Sequence, residues 1–195
     1  MTDKADNHRE GTDEALVVRY QRGDRTALSI LVRRHARSLY SAAYYVIGSE
    51  EVATTLTLNV FQQVTEHAGS FHIEMHFRTW VFQFLHQQLQ SHCGSEQSDP
   101  LSAPSESLTP DSSANALPRL ERSQLLSRRV RQSVASLPFA VREMLVLKLV
   151  SQLTILELAI ATTSTEDAVR DSLRQAMSRI RDAISDTEDY ARALR

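Results

Sequence analysis

From Asp13 to Val46 the apolar residues recur three and four positions apart, the spacing that lines one face of a helix. Ala15, Leu16, Val18 and Tyr20 make a first helix that Asp13 can cap and Gly23 closes, with Asp24 placed to cap the next. That second helix carries Ala27, Leu28, Leu31 and Val32 and continues through Leu39, Ala42, Ala43 and Val46 to a stop at Gly48. The stretch that follows, EEVATTLTLNVF at 50–61, is less regular. Leu56, Leu58 and Val60 alternate as in a strand, whereas Val52, Leu56 and Val60 fit a helical stripe, and the helical neighbours decide for the helix. Its middle holds Thr54, Thr55 and Thr57, residues that are mediocre in helix interiors. A further helix is expected from about His76 to His92, with Phe77, Trp80, Val81, Phe84, Leu85 and Leu89 on one stripe.

The periodicity breaks at Gly94–Pro118, where Ser, Pro and acidic residues take over; such a composition buries too little apolar surface to order itself and reads as a linker. Beyond it come an arginine-rich helix, Arg119–Val134, and, after Leu137 and Pro138, a helix around Val141–Val150. Thr154 then caps the short LELAIA segment, and after TTST a long helix runs AVRDSLRQAMSRIRDAI. Two helices joined by so short a turn match a helix-turn-helix, in which the later helix can enter a major groove; antiparallel bundles that merely pack share the pattern. The expected fold class is all-α, with two small helical domains joined by a flexible linker. The expected divisions are an N-terminal tail at 1–11, a first domain at 12–93, the linker at 94–118, a helix-turn-helix domain at 119–185 and a tail at 186–195.

Composition narrows the setting. With 195 residues, 42% of them hydrophobic, the chain can build one medium domain or two small ones. The single Cys93 excludes an internal disulfide and suits a reducing compartment. No apolar run reaches membrane-spanning length, and the start MTDKADNHREGTDE is unlike a signal peptide, so a cytoplasmic protein without membrane insertion is expected. The net charge of −2 hides an asymmetry. Arg119–Arg181 holds eleven Lys and Arg against six acids, whereas Asp13–His92 holds seven of each. The C-terminal half is therefore the plausible phosphate binder, with Arg170, Arg174 and Arg181 along one helix face; a solvated basic face is the alternative.

No glycine-rich phosphate cradle, nucleophile elbow or pair of catalytic carboxylates is present, so no enzyme, no catalytic residue and no cofactor are read. His67, His72 and His76 lack the cysteines or carboxylates that would complete a metal site, and no metal is expected.

Three stretches, ALVVRYQRGDRTALSILVRRH, FRTWVFQFLHQQLQ and LPFAVREMLVLKLVSQLTILELAIATTSTEDAVRDSLRQAMSRIR, together resemble the extracytoplasmic-function sigma factors, the two-domain promoter-recognition subunits of bacterial RNA polymerase. The resemblance implies that 12–93 docks on the clamp helices of the polymerase's largest subunit and opens the minus-ten element. It implies that 119–185 reads the minus-thirty-five element and touches the beta flap. Arg170, Asp171, Ser172 and Arg174 then fall on the recognition helix, where arginine can bond guanine or neutralise phosphate. Trp80, Gln83, His86 and Gln87 fall in the minus-ten region; the aromatic frame of Phe77, Trp80 and Phe84 matches the family, which usually carries basic residues, an Asn and an Asp where this chain has Gln83, His86, Gln87 and Ser91. Thr163 stands at a turn where glycine is frequent.

The sharpest departure lies at 52–61. The family usually reads DAEDLTQEVF there, with carboxylates that pair with basic residues on the clamp; this chain reads VATTLTLNVF. Val52, Thr54 and Thr55 replace Asp, Glu and Asp, and Leu58 and Asn59 replace Gln and Glu, leaving Glu50, Glu51 and Asn59 as supporting docking groups. Each lost charge-assisted bond is worth about 1.5–3 kcal/mol where desolvated. A phosphothreonine at Thr54 or Thr55 would restore about −1.5 to −2 of charge. The expectation is a sigma factor switched on by a Ser/Thr protein kinase, with core polymerase, promoter DNA and that kinase as partners and an anti-sigma factor as a further candidate. A sigma-like interaction module that no longer initiates transcription, and a constitutive sigma factor controlled by an anti-sigma partner, are the competing readings.

Overall fold

The computed structural model describes residues 11–95 and 132–193. Helix α1 spans Asp13–Gln21, α2 Arg25–Ile47, α3 Glu50–His67 and α4 Phe77–Ser95; α5 spans Phe139–Val150, α6 Ile155–Ala161 and α7 Glu166–Ala193. A single 3-10 turn, Ala68–Ser70, follows α3, and no strand occurs among the described residues. The all-α class holds.

Local signals account for most helix ends. The cap of α1 is Thr12, whose hydroxyl accepts from the Ala15 amide at 3.3 Å, and not Asp13. Asp13 is drawn away by stronger partners on α2: its carboxylate receives Arg34 at 2.7 Å and meets His35 at 2.6 Å. Burial works against that charge, but His35 and Arg34 outweigh it and hold the Asp13 carboxyl below its ordinary range. Gly23 turns the chain with φ +96°, and Asp24 caps α2 by accepting from the Thr26 amide at 3.0 Å. Gly48, at φ +85°, ends α2 in the left-handed conformation that glycine adopts without penalty. Ser49 caps α3. The amide of Phe77 donates to Glu14 at 3.1 Å, so a carboxylate from α1 satisfies the open N-terminus of α4.

The first half packs Leu16, Leu31, Leu39, Val60, Phe77, Phe82, Leu85 and Leu89 into its core. Phe71, Phe77, Trp80 and Phe84 form an edge-to-face aromatic group with centroids 4.8–6.3 Å apart. In the second half, Leu137, Val141, Leu145 and Ala176 make a small cluster of their own. The main core continues into this half through Met144, Val146, Leu147, Leu153, Leu158 and Val169. The two expected domains therefore meet along α2–α5 and α4–α6 contacts and share one apolar interior. The reason lies in α5. Every residue from Val141 to Leu147 is buried, and a helix that is apolar nearly all round must be covered on more than one side.

One further expectation changes, at the C-terminal end. Helix α7 continues to Ala193, through most of the stretch 186–195 expected as a tail. Of the arginine-rich helix expected at Arg119–Val134, only 132–134 fall within the described residues, and these are helical; 96–118 of the linker and 1–10 of the N-terminal tail lie outside them.

Candidate functional site

Three threonines on α3 resolve into two chemical classes. The hydroxyl of Thr54 donates to the Glu50 carbonyl at 2.8 Å, that of Thr55 to Glu51 at 3.0 Å and that of Thr57 to Ala53 at 2.7 Å. Each side chain thus bonds back four residues along its own helix, which satisfies the hydroxyl without interrupting the ladder. Thr54 and Thr55 are exposed, whereas Thr57 is only 8% exposed and faces the core. Only the first two are open to an enzyme or a partner. They sit one turn beyond Glu50 and Glu51, which occupy the first turn of α3, where the helix dipole favours acids.

Thr55 also borders an open groove of about 400 Å³ between α3 and α4, lined by Glu51, Val52, Leu56, Asn59, Gln88 and His92 among others. Asn59 is half-buried there and donates to Gln88 at 3.3 Å. Thr54 is not among the residues lining it. Leu58 is 65% exposed in the next turn, an apolar residue that α3 leaves on its surface.

The residues expected to touch the melted strand are mostly engaged with the second half of the chain. Trp80 is 7% exposed inside the aromatic group and is a core residue. Gln83 donates to the Ile160 carbonyl on α6 at 3.2 Å. His86 Nδ1 lies 2.7 Å from Glu143 Oε1 on α5, and Gln90 donates to the other carboxylate oxygen at 3.2 Å. Among the four candidates only Gln87 is fully exposed. Glu143 is 1% exposed, and the hydrogen-bond partners seen for its carboxylate both come from the opposite half. Sequence reasoning did not single out Glu143 or Gln90, although a carboxylate inside the apolar run FAVREMLVLKLV was a visible signal that something must meet it.

The second half presents α6 and α7 as a helix-turn-helix. Thr154 and Glu157 form a reciprocal capping box at 3.2 and 2.7 Å. The Glu157 carboxyl is held below its usual range: burial opposes this, but the Thr154 bonds, and Arg78 and His76 from the first half, prevail. Thr163 adopts φ +51° in the turn, the geometry for which glycine is commonest, and Thr165 caps α7 by accepting from the Ala168 amide. Val169 and Ala176 face inward, leaving Arg170, Asp171 and Arg174 exposed and Ser172 half-buried. Arg170 pairs with Glu166 at 2.5 Å and Asp167 at 3.1 Å, and Arg174 with Asp171 at 2.5 Å. Exposed pairs within a helix are worth only a few tenths of a kcal/mol, so both arginines can exchange these partners for phosphate. With Ile155, Leu173, Met177 and Arg181 they line a groove of about 600 Å³.

No protein-family model matches the chain, and no curated protein matches it. Solved structures do. CnrH, in complex with the cytosolic domain of CnrY, is 19% identical over 89% of this chain and 97% of its own, with a TM-score of 0.66. The sigma factor RpoE from Bartonella quintana, in complex with the anti-sigma factor NepR, is 14% identical over 80% of this chain and 96% of its own, with a TM-score of 0.62. The fold is the one these two proteins share. At 89% coverage the likeness takes in both halves together, not one helical unit alone. Among the described residues no helix is long and apolar enough to cross a membrane.

Proposed function

We propose that the chain is an RNA polymerase sigma factor of the extracytoplasmic-function kind, whose docking on core polymerase is switched by phosphorylation of Thr54 or Thr55. The observation that carries this reading is the exposure of both hydroxyls one turn from Glu50 and Glu51, at the positions where related docking helices carry carboxylates. A phosphate there extends a two-residue acidic start into a continuous acidic face, and it brings acceptor oxygens suited to arginine. Arg170 and Arg174 are the residues assigned to the minus-thirty-five element, with Asp171 and Ser172 beside them. Core polymerase, promoter DNA and a Ser/Thr protein kinase are the partners.

Purified protein, unmodified and phosphorylated, is titrated with core polymerase and then assayed for promoter-dependent transcription. The phosphorylated form should bind at least about tenfold more tightly, the gain from one charge-assisted contact. Equal binding by the unmodified, phosphorylated and Thr54→Ala/Thr55→Ala forms would sink the switch.

A second reading is favoured by a separate observation. Gln83 and His86 are both engaged by the second half, as they would be in a sigma-like module that binds an antagonist and does not initiate transcription. Absence of initiation by either form of the protein, at any promoter tried, would favour it.

A further inference from the structure

We infer that His86, Gln90 and Glu143 form a latch that holds the two halves closed at rest, covering the α4 surface that carries Gln83 and His86. The meaning given to that surface rests on the proposed function; the closure itself does not. Glu143 lies in the middle of α5 at 1% exposure, a position that would be prohibitive for an isolated carboxylate. What makes it tolerable comes from across the boundary: His86 at 2.7 Å on one carboxylate oxygen and Gln90 at 3.2 Å on the other. These two residues are four apart on α4, so they share one face and grip the carboxylate from both sides. Gln83, one turn earlier on that face, adds its bond to the Ile160 carbonyl.

A polar cluster built on a buried carboxylate supplies geometry more than adhesion. The apolar contacts of α5 would hold many registers, but a buried carboxylate is satisfied in only one. Closing desolvates the Glu143 carboxylate and the His86 and Gln90 bonds offset that cost, so the cluster adds little net stability yet penalises any register that breaks those bonds. On opening, Gln83 and His86 are released together, because the bonds of both reach across the same boundary. A ligand that needs this face must first separate the halves, and its apparent affinity falls in proportion to the closed fraction.

The test uses the full chain with Cys93→Ser and spin labels on cysteines placed at Gln62 and Gln175, exposed on α3 and α7. Double electron–electron resonance reads the distance between the halves, with urea raised stepwise below the global unfolding transition to bring the open form into view. Wild type should give one short distance over a wide urea range. His86→Ala leaves the Glu143 carboxylate buried without its closest partner and should raise the open-to-closed ratio about a hundredfold. Gln90→Ala removes a single neutral donor and should raise it about fivefold. The His86→Ala/Glu143→Ala double variant should open less readily than His86→Ala alone, because no charge is left stranded. Circular dichroism establishes that each variant keeps its helices. Opening of His86→Ala at the same urea concentration as wild type would overturn the latch, as would separation of the halves only upon global unfolding in every variant. Opening in Gln90→Ala without any gain in binding of a single-stranded minus-ten oligonucleotide would uphold the latch and count against the sigma-factor reading.

Discussion

Thr57 provides a direct check on which threonine can carry a charge. Its side chain is 8% exposed on the inner face of α3, with its hydroxyl donating 2.7 Å to the Ala53 carbonyl. Thr57→Asp removes that donor and sets a carboxylate against the carbonyl oxygen on the inner face of the helix. Leaving one buried charge unpaired costs at least about 3 kcal/mol, or the group takes up a proton at a similar cost at neutral pH. For a chain of this size that lowers the melting temperature by roughly 6–12 °C. Thr54→Asp meets the like charges of Glu50 and Glu51, four and three residues before it on an exposed face, at a cost of about 0.4–1 kcal/mol. Thr54→Ala and Thr55→Ala each exchange a mediocre helix former for the best one and should gain up to about 0.7 kcal/mol. Thermal melts followed by circular dichroism at pH 7 measure all four. If Thr57→Asp melts within about 2 °C of Thr54→Asp, the division of α3 into an inner and an outer threonine face is wrong, and the argument for Thr54 and Thr55 loses its footing.

Three other outcomes are expected. Arg174→Ala should weaken binding to promoter DNA and lower the slope of log affinity against log salt by about 1, the signature of one lost phosphate contact; an unchanged slope assigns Arg174 no phosphate. Thr163→Gly should stabilise the second half by about 0.5–1 kcal/mol in urea titrations, because it relieves a β-branched residue held at φ +51°; a loss would mean that the side chain contributes more than the strain costs. Asp13 has a folded-state pKa below its unfolded value, so its contribution is complete above the unfolded pKa of about 3.9 and is lost as pH falls through the folded value. Wild type should therefore be more stable than Asp13→Asn at neutral pH, and the gap should close on acidification; parallel pH profiles would remove Asp13 from the acid-sensitive groups.

The helices of the first half were legible because each was bounded by its own chemistry: Gly23 and Gly48 at positive φ, Asp24 at a cap and a stripe of apolar residues between them. The helical register of 50–67 was legible only from its neighbours, since the threonines carry a strand preference, and in the helix their hydroxyls bond back to the Glu50, Glu51 and Ala53 carbonyls. The cap at Asp13 was misread because capping is a local rule, whereas Arg34 and His35 reach that carboxylate from another helix. Burial of Trp80 has a similar origin. A stripe of aromatics shows that a face is apolar, but not that three of its rings close on one another and on Phe71 from the segment before the helix. The linker composition suggested two separate units, and nothing in it announced that α5 would need covering from both halves.

Helix α4 links the two regulatory ideas while keeping them physically apart. Gln88, Ser91 and His92 line the groove beside Thr55, whereas Gln83, His86 and Gln90 meet α5 and α6. Residues 86 and 88 are two apart and so lie on nearly opposite sides of one helix. A phosphate on Thr55 therefore acts on the α3 side, without touching the Glu143 carboxylate on the other. Charge at α3 can set the affinity for a basic partner while the latch sets how often the strand-facing surface is free, and the two contributions should multiply. On this geometry a Thr55-phosphorylated protein carrying Gln90→Ala should gain affinity for core polymerase loaded with single-stranded minus-ten DNA by the product of the two separate gains. A combined effect well below that product would show that phosphorylation itself opens the latch, through a coupling across α4 that the side-chain contacts do not provide.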